Sequence, residues 1–398
     1  MAGICISNDQ CIQCGQCIQQ CPFQALSMEK GKVMVNANCK VCRICIKTCP
    51  VEAIFIEEKK KETIDKSLYQ NILVYVEHDG KTIHPVTFEL IGKALQLAQT
   101  INQSVICLLV GYQVQTLARS LLYYGVNQVY VYDDIQLKHF RVDNYANAFE
   151  DCIHKIKPTV CLFGATTTGR SLAPRIATRF RTGLTADCTV LEMRSNTDLV
   201  QIRPAFGGNV MAQIINTDCR PQFATVRYKV MDSPLRLENP TGEIIACSLN
   251  EEQLKSKIEV IEVFAHTHEA SISDAEIVVV AGAGIKDEKG MDLVKQLAAL
   301  LGGVVAGTRP MVEKGMISIH QQIGLSGRTV KPKLMITCGV SGAIQFTAGM
   351  NGSDKIFAIN QDPDAPIFKL AHYAVVDDVY QLLPQLIEQM KKGNTYEL

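Results

Sequence analysis

From residue 72 onward the chain alternates two patterns. Short unbroken apolar runs occur at ILVYVE (72–77), SVICLLV (104–110), QVYVYDD (128–134) and TVCLFGA (159–165). Between them lie FELIGKALQLAQ (88–99), QTLARSLLYYG (115–125) and NYANAFEDCIHKI (144–156), with apolar positions three to four residues apart. Apolar runs of strand length separated by amphipathic helices predict a mainly parallel sheet covered on both faces. Between 203 and 227 the pattern shortens into brief strands around Gly207 and Gly208. A second alternating unit starts at AEIVVVAGAG (275–284), and in its helix MDLVKQLAALLGG the residues Val294, Leu297, Ala298 and Leu301 share one face. Strands GVVAG (303–307), KLMITCG (333–339), KIFAINQ (355–361) and YAVVDD (373–378) follow, with a closing helix over 379–391. The polar stretch 266–274 is the expected boundary between the two units.

The first fifty residues obey a different rule. CIQCGQCIQQCP (11–22) and CKVCRICIKTCP (39–50) both read C-x2-C-x2-C-x3-C-P, and the second copy starts 28 residues after the first. The echo continues beyond the cysteines, CPFQAL against CPVEAI, so the segment reads as an internal duplication. Such a loop turns three sulfurs inward, and the proline ends the turn by fixing φ and removing a donor. Zinc uses four ligands, usually as two pairs, and fits these runs poorly. A disulfide framework fits less well, since nothing else in the chain looks secreted. In two-cluster ferredoxins the fourth cysteine ligates the other cluster. The expected sets are therefore Cys11, Cys14, Cys17 and Cys49 for one [4Fe–4S] cluster, and Cys39, Cys42, Cys45 and Cys21 for another. The segment resembles bacterial two-cluster ferredoxins. Cys5 and the seven cysteines at 107, 152, 161, 188, 219, 247 and 338 are read as small apolar residues with no ligand role.

Between head and body runs EEKKKETIDK (57–66), eight of whose ten residues are charged with balanced signs, as in a solvated connector. Apolar residues make up 47% of the chain, enough for real cores. Lys plus Arg equals Asp plus Glu at 40 each, which argues against a nucleic-acid partner. No basic segment followed by an apolar core opens the chain, and no apolar run approaches the roughly 20 residues of a membrane span. Abundant thiols suit a reducing cytoplasm.

The AGAG of the second unit lacks the third glycine of a dinucleotide fingerprint, and FGATTTG (163–169) does not match it either. A self-contained NAD site is therefore not expected. In LMITCGVSGAIQFTAGMNGSDKIFAIN (334–360) a strand ends at Cys338 and a glycine-rich turn feeds a helix at Ala343. A helix start of that kind suits a pyrophosphate. This stretch resembles the signature of electron-transfer flavoprotein α subunits, G-[IV]-S-G-x-I-Q-H-x2-G followed by a strand ending in A-[IV]-N. The likeness extends over about 67–398, through GATTTGRSLAPRIATRFRTGLTADCT, TRP (308–310), QIGLSGR (322–328) and DPDAPIFKLAHY (362–373).

The resemblance implies an FAD site. Arg309 would lie against the flavin and favour its reduced forms, with Thr308 beside it. Ser326 would hydrogen-bond near N5. Gln322, Gly324, Gly327, Ser341, Gly342 and Gln345 would line the cofactor, and Asn360 and Asp378 would hold the adenosine end. Phe346 stands where the family has histidine, and Gly284 stands where many members carry arginine. Both departures remove positive charge, leaving Arg309 and helix dipoles to stabilise a flavin anion.

The expected architecture is α/β throughout. It comprises a small α+β ferredoxin domain (1–58), a charged linker (59–67), a Rossmann-like α/β domain (68–268) and a doubly wound FAD domain (269–398). No acid–base constellation stands out, so no catalytic residue is assigned. The resemblance implies a β subunit carrying a second FAD and the NADH site. Two low-potential clusters, near about −400 mV, make sense where one electron must reach ferredoxin. The expected function is a subunit of an electron-bifurcating or confurcating complex, the alternative being a non-bifurcating shuttle whose head docks ferredoxin. The other acceptor would be a flavoprotein dehydrogenase, of the acyl-CoA (caffeyl-CoA reductase) kind or else a lactate dehydrogenase.

Overall fold

A computed structural model describes residues 3–36, 38–57, 64–205, 210–264 and 271–392. Most of the charged connector and of the polar boundary at 266–274 lies outside the described residues, as do Gly207 and Gly208. The chain divides into two compact units, Met1–Ile64 and Asp65–Leu398.

In the first unit, β1 (Gly3–Ile6) pairs antiparallel with β4 (Ile54–Glu57), and β2 (Leu26–Glu29) forms a hairpin with β3 (Lys32–Val35). Two short helices, α1 (Gln16–Gln19) and α2 (Ile44–Thr48), each begin inside a cysteine run. The duplication is visible in the backbone. Positive φ occurs at Gln13 and Val41, at Gly15 and Arg43, and at Gln24 and Glu52, each pair 28 residues apart. The apolar core is small: Ile4, Leu26, Val33 and Ile54 close around the buried Cys17 and Cys45. A core of this size rarely holds a domain of about sixty residues unaided, so bound metal would stabilise the fold directly.

The second unit opens on a seven-stranded sheet. Its strands are β5 (Ile72–Tyr75), β6 (Val105–Gly111), β7 (Gln128–Asp133), β8 (Val160–Gly164), β9 (Leu184–Cys188), β13 (Gln222–Val226) and β14 (Glu243–Cys247). Their order is β14-β7-β6-β5-β8-β13-β9, and every pairing is parallel. Helices α3 (Pro85–Ile101) and α4 (Gln115–Leu121) cover one face; α5 (Val142–Ile156) and α6 (Thr167–Arg179) cover the other. Burial on both faces explains the unbroken apolar runs: β5, β6 and β8 are buried at every position. The strands β10 (Val190–Met193), β11 (Leu199–Ala205) and β12 (Val210–Ile215) form a separate antiparallel sheet, and α7 (Glu251–Leu254) follows β14.

The last sheet contains β15 (Ile277–Ala281), β16 (Val304–Gly307), β17 (Leu334–Cys338), β18 (Lys355–Asn360) and β19 (Tyr373–Val376), in the order β16-β15-β17-β18-β19. All its pairings are parallel. The helices α8 (Glu288–Leu300) and α11 (Val379–Lys391) pack on one face, while α9 (Arg309–Glu313) and α10 (Ile344–Thr347) are short. Strand order reverses between β15 and β17, which puts the switch point of a doubly wound sheet there.

The segment after β13 ties the two sheets together. Arg227 donates to the Leu325 carbonyl at 2.9 Å, Tyr228 to Asp274 at 2.6 Å, and Lys331 to Asp232 at 2.9 Å. Glu89, buried in α3, accepts the Lys229 N–H on both carboxylate oxygens at 2.9 and 3.2 Å. Burial pushes the Glu89 carboxyl up from 4.5 to about 7, against the opposing pull of these N–H groups. The folded chain therefore holds this proton more tightly than the unfolded one. The resulting stability is complete below about pH 4.5 and is lost as pH rises through about 7. The amount at stake is roughly 3 kcal/mol at 1.36 kcal/mol per pH unit. Glu89→Gln should flatten this dependence. Melting at pH 5 and pH 8 tests it, and equal pH losses in both proteins would remove Glu89 as the cause.

Candidate functional site

The first unit contains two hollows walled by sulfur. One is lined by Cys11, Cys14, Cys17 and Cys49 with Ile6, Ile12, Val33, Val51 and Ile54. The other is lined by Cys21, Cys39, Cys42 and Cys45 with Ile4, Phe23, Leu26 and Ile44. Each hollow thus takes three cysteines from one run and the fourth from the other. The fourth thiols are fixed alike: Ala25 N–H donates to Cys21 Sγ and Ala53 N–H to Cys49 Sγ, both at 3.3 Å. Burial pushes the Cys17 thiol up, and nearby Cys11 and Cys14 add to the effect. Burial does the same at Cys45, reinforced by Cys39 and Cys42. Such thiols ionise when a cation supplies compensating charge, which iron does. Among the described residues no three His, Cys, Asp or Glu side chains converge closely enough for one metal ion. Four thiols around an apolar hollow instead fit a multi-atom cluster.

Of the other cysteines, Cys5, Cys219 and Cys247 are half-buried. Cys107, Cys152, Cys161, Cys188 and Cys338 are buried in the sheets or on their helices. Burial pushes the Cys188 and Cys338 thiols up to about 12.

At the second unit the candidate residues sit where the parallel strands end. Thr308 follows β16 directly, and its hydroxyl is buried without a protein partner. A bridge between Gly307 and Gln322 brings the next loop alongside. Buried Gln322 donates to Ser326 Oγ at 2.8 Å, which aims the exposed hydroxyl. The loop turns at Gly324, φ 133°, where a Cβ would lie 2.5 Å from the Gln345 carbonyl. Leu325 N–H donates to that same carbonyl at 2.8 Å, while Arg227 holds the Leu325 carbonyl from the other side. Gly327 lies against the Gln322 carbonyl, 2.3 Å from where a Cβ would stand. Thr308, Gln322, Gly324, Ser326, Gly327 and Gln345 therefore form one contiguous group.

The group continues across β17 and β18. Ser341 is exposed, and its carbonyl accepts from Ile367 N–H at 3.1 Å. Asn360 donates to the Val340 carbonyl at 2.8 Å and accepts from Asp362 N–H, so it ties the turn after β17 to β18. Asp378, past the end of β19, caps α11 through Tyr380 N–H at 2.9 Å. At about 4.8 Å per strand step, the edge from β16 to β19 is roughly 19 Å long. That is the shape of a seat for an extended ligand.

Four details modify the sequence reading. The helix expected at Ala343 is a single turn, Ile344–Thr347, so its dipole is weaker than that of a full helix. The close approach at Gly342 is to the chain itself, at Ile367, rather than to ligand space. Phe346 is buried among Ile323, Val330 and Met350 and serves the core. Arg309 is 70% exposed and pairs with Glu313 at 2.8 Å, one turn along α9. An exposed pair of that kind contributes about 0–1 kcal/mol, so the guanidinium can exchange partners cheaply. Arg227 was missed altogether: its contact with Leu325 spans 98 residues, and no local signal marks it.

A cysteine-caged head joined to a parallel-sheet body with a glycine-lined carboxyl edge defines an iron–sulfur flavoprotein that carries electrons. Comparison with known proteins makes this particular. The electron transfer flavoprotein domain matches residues 72–252, the electron transfer flavoprotein FAD-binding domain matches 271–351, and a 4Fe-4S binding domain matches 4–27. The LctC subunit of lactate dehydrogenase (NAD(+),ferredoxin) from Acetobacterium woodii is 53% identical over 93% of this chain and 89% of its own length. Electron transfer flavoprotein α subunits from Thermoanaerobacterium thermosaccharolyticum and Megasphaera elsdenii are each 43% identical, over 81% and 83% of this chain and 98% of their own lengths. The chain belongs to the electron transfer flavoprotein α-subunit family. It has an FAD-binding domain and a 4Fe-4S domain. Among the described residues no helix is long and apolar enough to cross a membrane.

Proposed function

We propose that this chain is the α subunit of a complex that couples NAD(H), ferredoxin and a flavoprotein dehydrogenase by electron bifurcation or its reverse. The observation that carries this reading is the pairing of cysteine cages with the family's FAD-binding body. The two α subunits from T. thermosaccharolyticum and M. elsdenii, matched over 98% of their lengths by about four-fifths of this chain, are shorter than it by about the length of the head. The A. woodii relative aligns over 93% of this chain, and its name joins NAD(+), ferredoxin and lactate dehydrogenase. Of the two dehydrogenase partners expected from the sequence, that relative supports the lactate dehydrogenase. The acyl-CoA partner has no comparable support.

Bound FAD would supply one- and two-electron chemistry, and [4Fe–4S] clusters would pass single electrons near about −400 mV. Cys11, Cys14, Cys17 and Cys49 would hold one cluster, and Cys39, Cys42, Cys45 and Cys21 the other. Thr308, Arg309, Gln322, Gly324, Ser326, Gly327 and Gln345 would hold the flavin end of FAD. Ser341, Gly342, Asn360 and Asp378 would border the remainder. Arg309, Ser326, Ser341 and Gln345 are exposed, which supports a seat completed by a β subunit. That subunit would also supply the NAD site.

The test is anaerobic reconstitution with the β subunit and a lactate dehydrogenase. The expected result is lactate-dependent NAD+ reduction that requires reduced ferredoxin. Reduction that proceeds equally without ferredoxin would leave a plain shuttle. Arg309→Ala should lower the FAD potential by tens of millivolts, the loss of one charge-assisted contact on the order of 1–3 kcal/mol. A redox titration showing no change would remove that role.

A further inference from the structure

The two cages are built alike but rimmed differently. At matched positions of the duplication the first run has Ile12, Gly15 and Gln19 where the second has Lys40, Arg43 and Lys47. All three cations are exposed, and Lys40 lines the second hollow itself. Among the described residues none of the three has an ion-pair partner. Arg43 also occupies a left-handed position, φ 65°, where the first copy uses Gly15 at φ 72°. The fold thus puts a long cation where the duplication shows that glycine suffices. The acidic side chains fall on the other side of the count. Asp9 lies two residues before Cys11, and Glu52 three residues after Cys49, both next to first-cage cysteines and both exposed. Apolar exposure does not separate the rims, since Ile12 flanks one, and Phe23 and Ile44 the other. Charge does.

We propose that the Lys40–Arg43–Lys47 rim is the docking face for an acidic one-electron carrier protein, and that electrons exchanged with that carrier cross at the second cage. This rests on the reading that the head trades electrons with a separate soluble protein. Unpaired cations around a small apolar centre steer an acidic partner and fix its orientation. A transient electron-transfer encounter of this kind needs speed more than affinity. A cluster held by Cys21, Cys39, Cys42 and Cys45 would accept the one electron that the carrier's redox centre gives up. No bond forms and no proton moves. The first cage, whose own run carries no cation, is left to exchange electrons inside the complex.

The test uses the reconstituted complex and a small acidic ferredoxin. Lys40→Gln, Arg43→Gln and Lys47→Gln together remove three positive charges. The control, Gln13→Glu with Gln16→Glu and Gln19→Glu, changes net charge equally at the first rim. Iron content and the cluster absorption verify loading of both. Calorimetry of ferredoxin binding against ionic strength is the readout, with the KM and kcat of ferredoxin turnover alongside. The rim variant should bind roughly tenfold more weakly at low salt, lose most of its salt dependence and change KM rather than kcat. The control should shift binding less than about threefold. Equal losses in both variants would overturn the proposal, as would a fall in kcat with binding and its salt slope intact. If the unmodified complex neither binds nor exchanges electrons with ferredoxin, the functional reading falls and this proposal with it. A rim variant that binds ferredoxin as tightly as an active unmodified complex overturns the proposal alone.

Discussion

Cys49→Ser should cost the chain the cluster of the first cage and spare that of the second, although Cys49 lies within the second cysteine run. Cys49 shares its hollow with Cys11, Cys14 and Cys17, while Cys39, Cys42 and Cys45 close around Cys21. A serine oxygen is a shorter and harder ligand than a thiolate, and Ala53 N–H would compete for it as it now does for Cys49 Sγ. About half the bound iron and labile sulfide should be lost, and the remaining electron paramagnetic resonance signal should be that of one isolated reduced cluster. Cys21→Ser should remove the complementary half. If Cys49→Ser instead abolished the signal of a cluster that also disappears in Cys39→Ser, the ligand sets would follow the runs and the crossed pairing would be wrong. Complete loss of iron in either variant would mean that the small core of the head cannot stand on one cluster. Iron incorporation into a Cys49→Ala chain supplied with excess thiol ligand would then decide between the two pairings.

The same logic explains what could be read from sequence. The cage pattern was legible because ligand spacing is local and the duplication repeats it. Strands β5, β6 and β8 were legible because burial on both faces leaves an unbroken apolar run. The strand β14 was not: it is a half-exposed edge strand that crosses from residue 243 to pair with β7. Pro174 inside α6 obscured that helix, and the exposed Val210 and Met211 obscured β12. The candidate FAD residues were found through family resemblance, and the fold brings most of them to one sheet edge. What resemblance could not show is how each is employed within the chain. Asn360 and Asp378 make structural hydrogen bonds, Phe346 fills the core, and Arg309 rests on Glu313. Their availability to a cofactor depends on the bonds they would have to share or exchange.

Gly342→Ala should release FAD and destabilise the last sheet more than any surface change in that unit. The φ of Gly342 is +85°, and a Cβ there would lie 2.2 Å from Ile367 N and 2.5 Å from its Cα. Those atoms are backbone and cannot swing aside. Ile367 N–H also donates to the Ser341 carbonyl, so relieving the clash would break the bond that holds the turn after β17. Left-handed strain and a backbone collision together place the cost at about 4 kcal/mol or more, in the range reserved for identifiable core lesions. At the scale of this unit that corresponds to a drop of roughly ten degrees in its melting midpoint. Gly302 provides the comparison, because its φ is +65° but nothing lies within 4 Å of a Cβ. Gly302→Ala should therefore show the conformational strain alone, about 1 kcal/mol, and keep its flavin. Flavin absorbance after gel filtration and a melting curve for each variant are sufficient. Comparable losses in the two proteins would assign the effect to φ. A clear excess at Gly342, with FAD lost there and retained at Gly302, would assign it to the packing of the turn against Ile367.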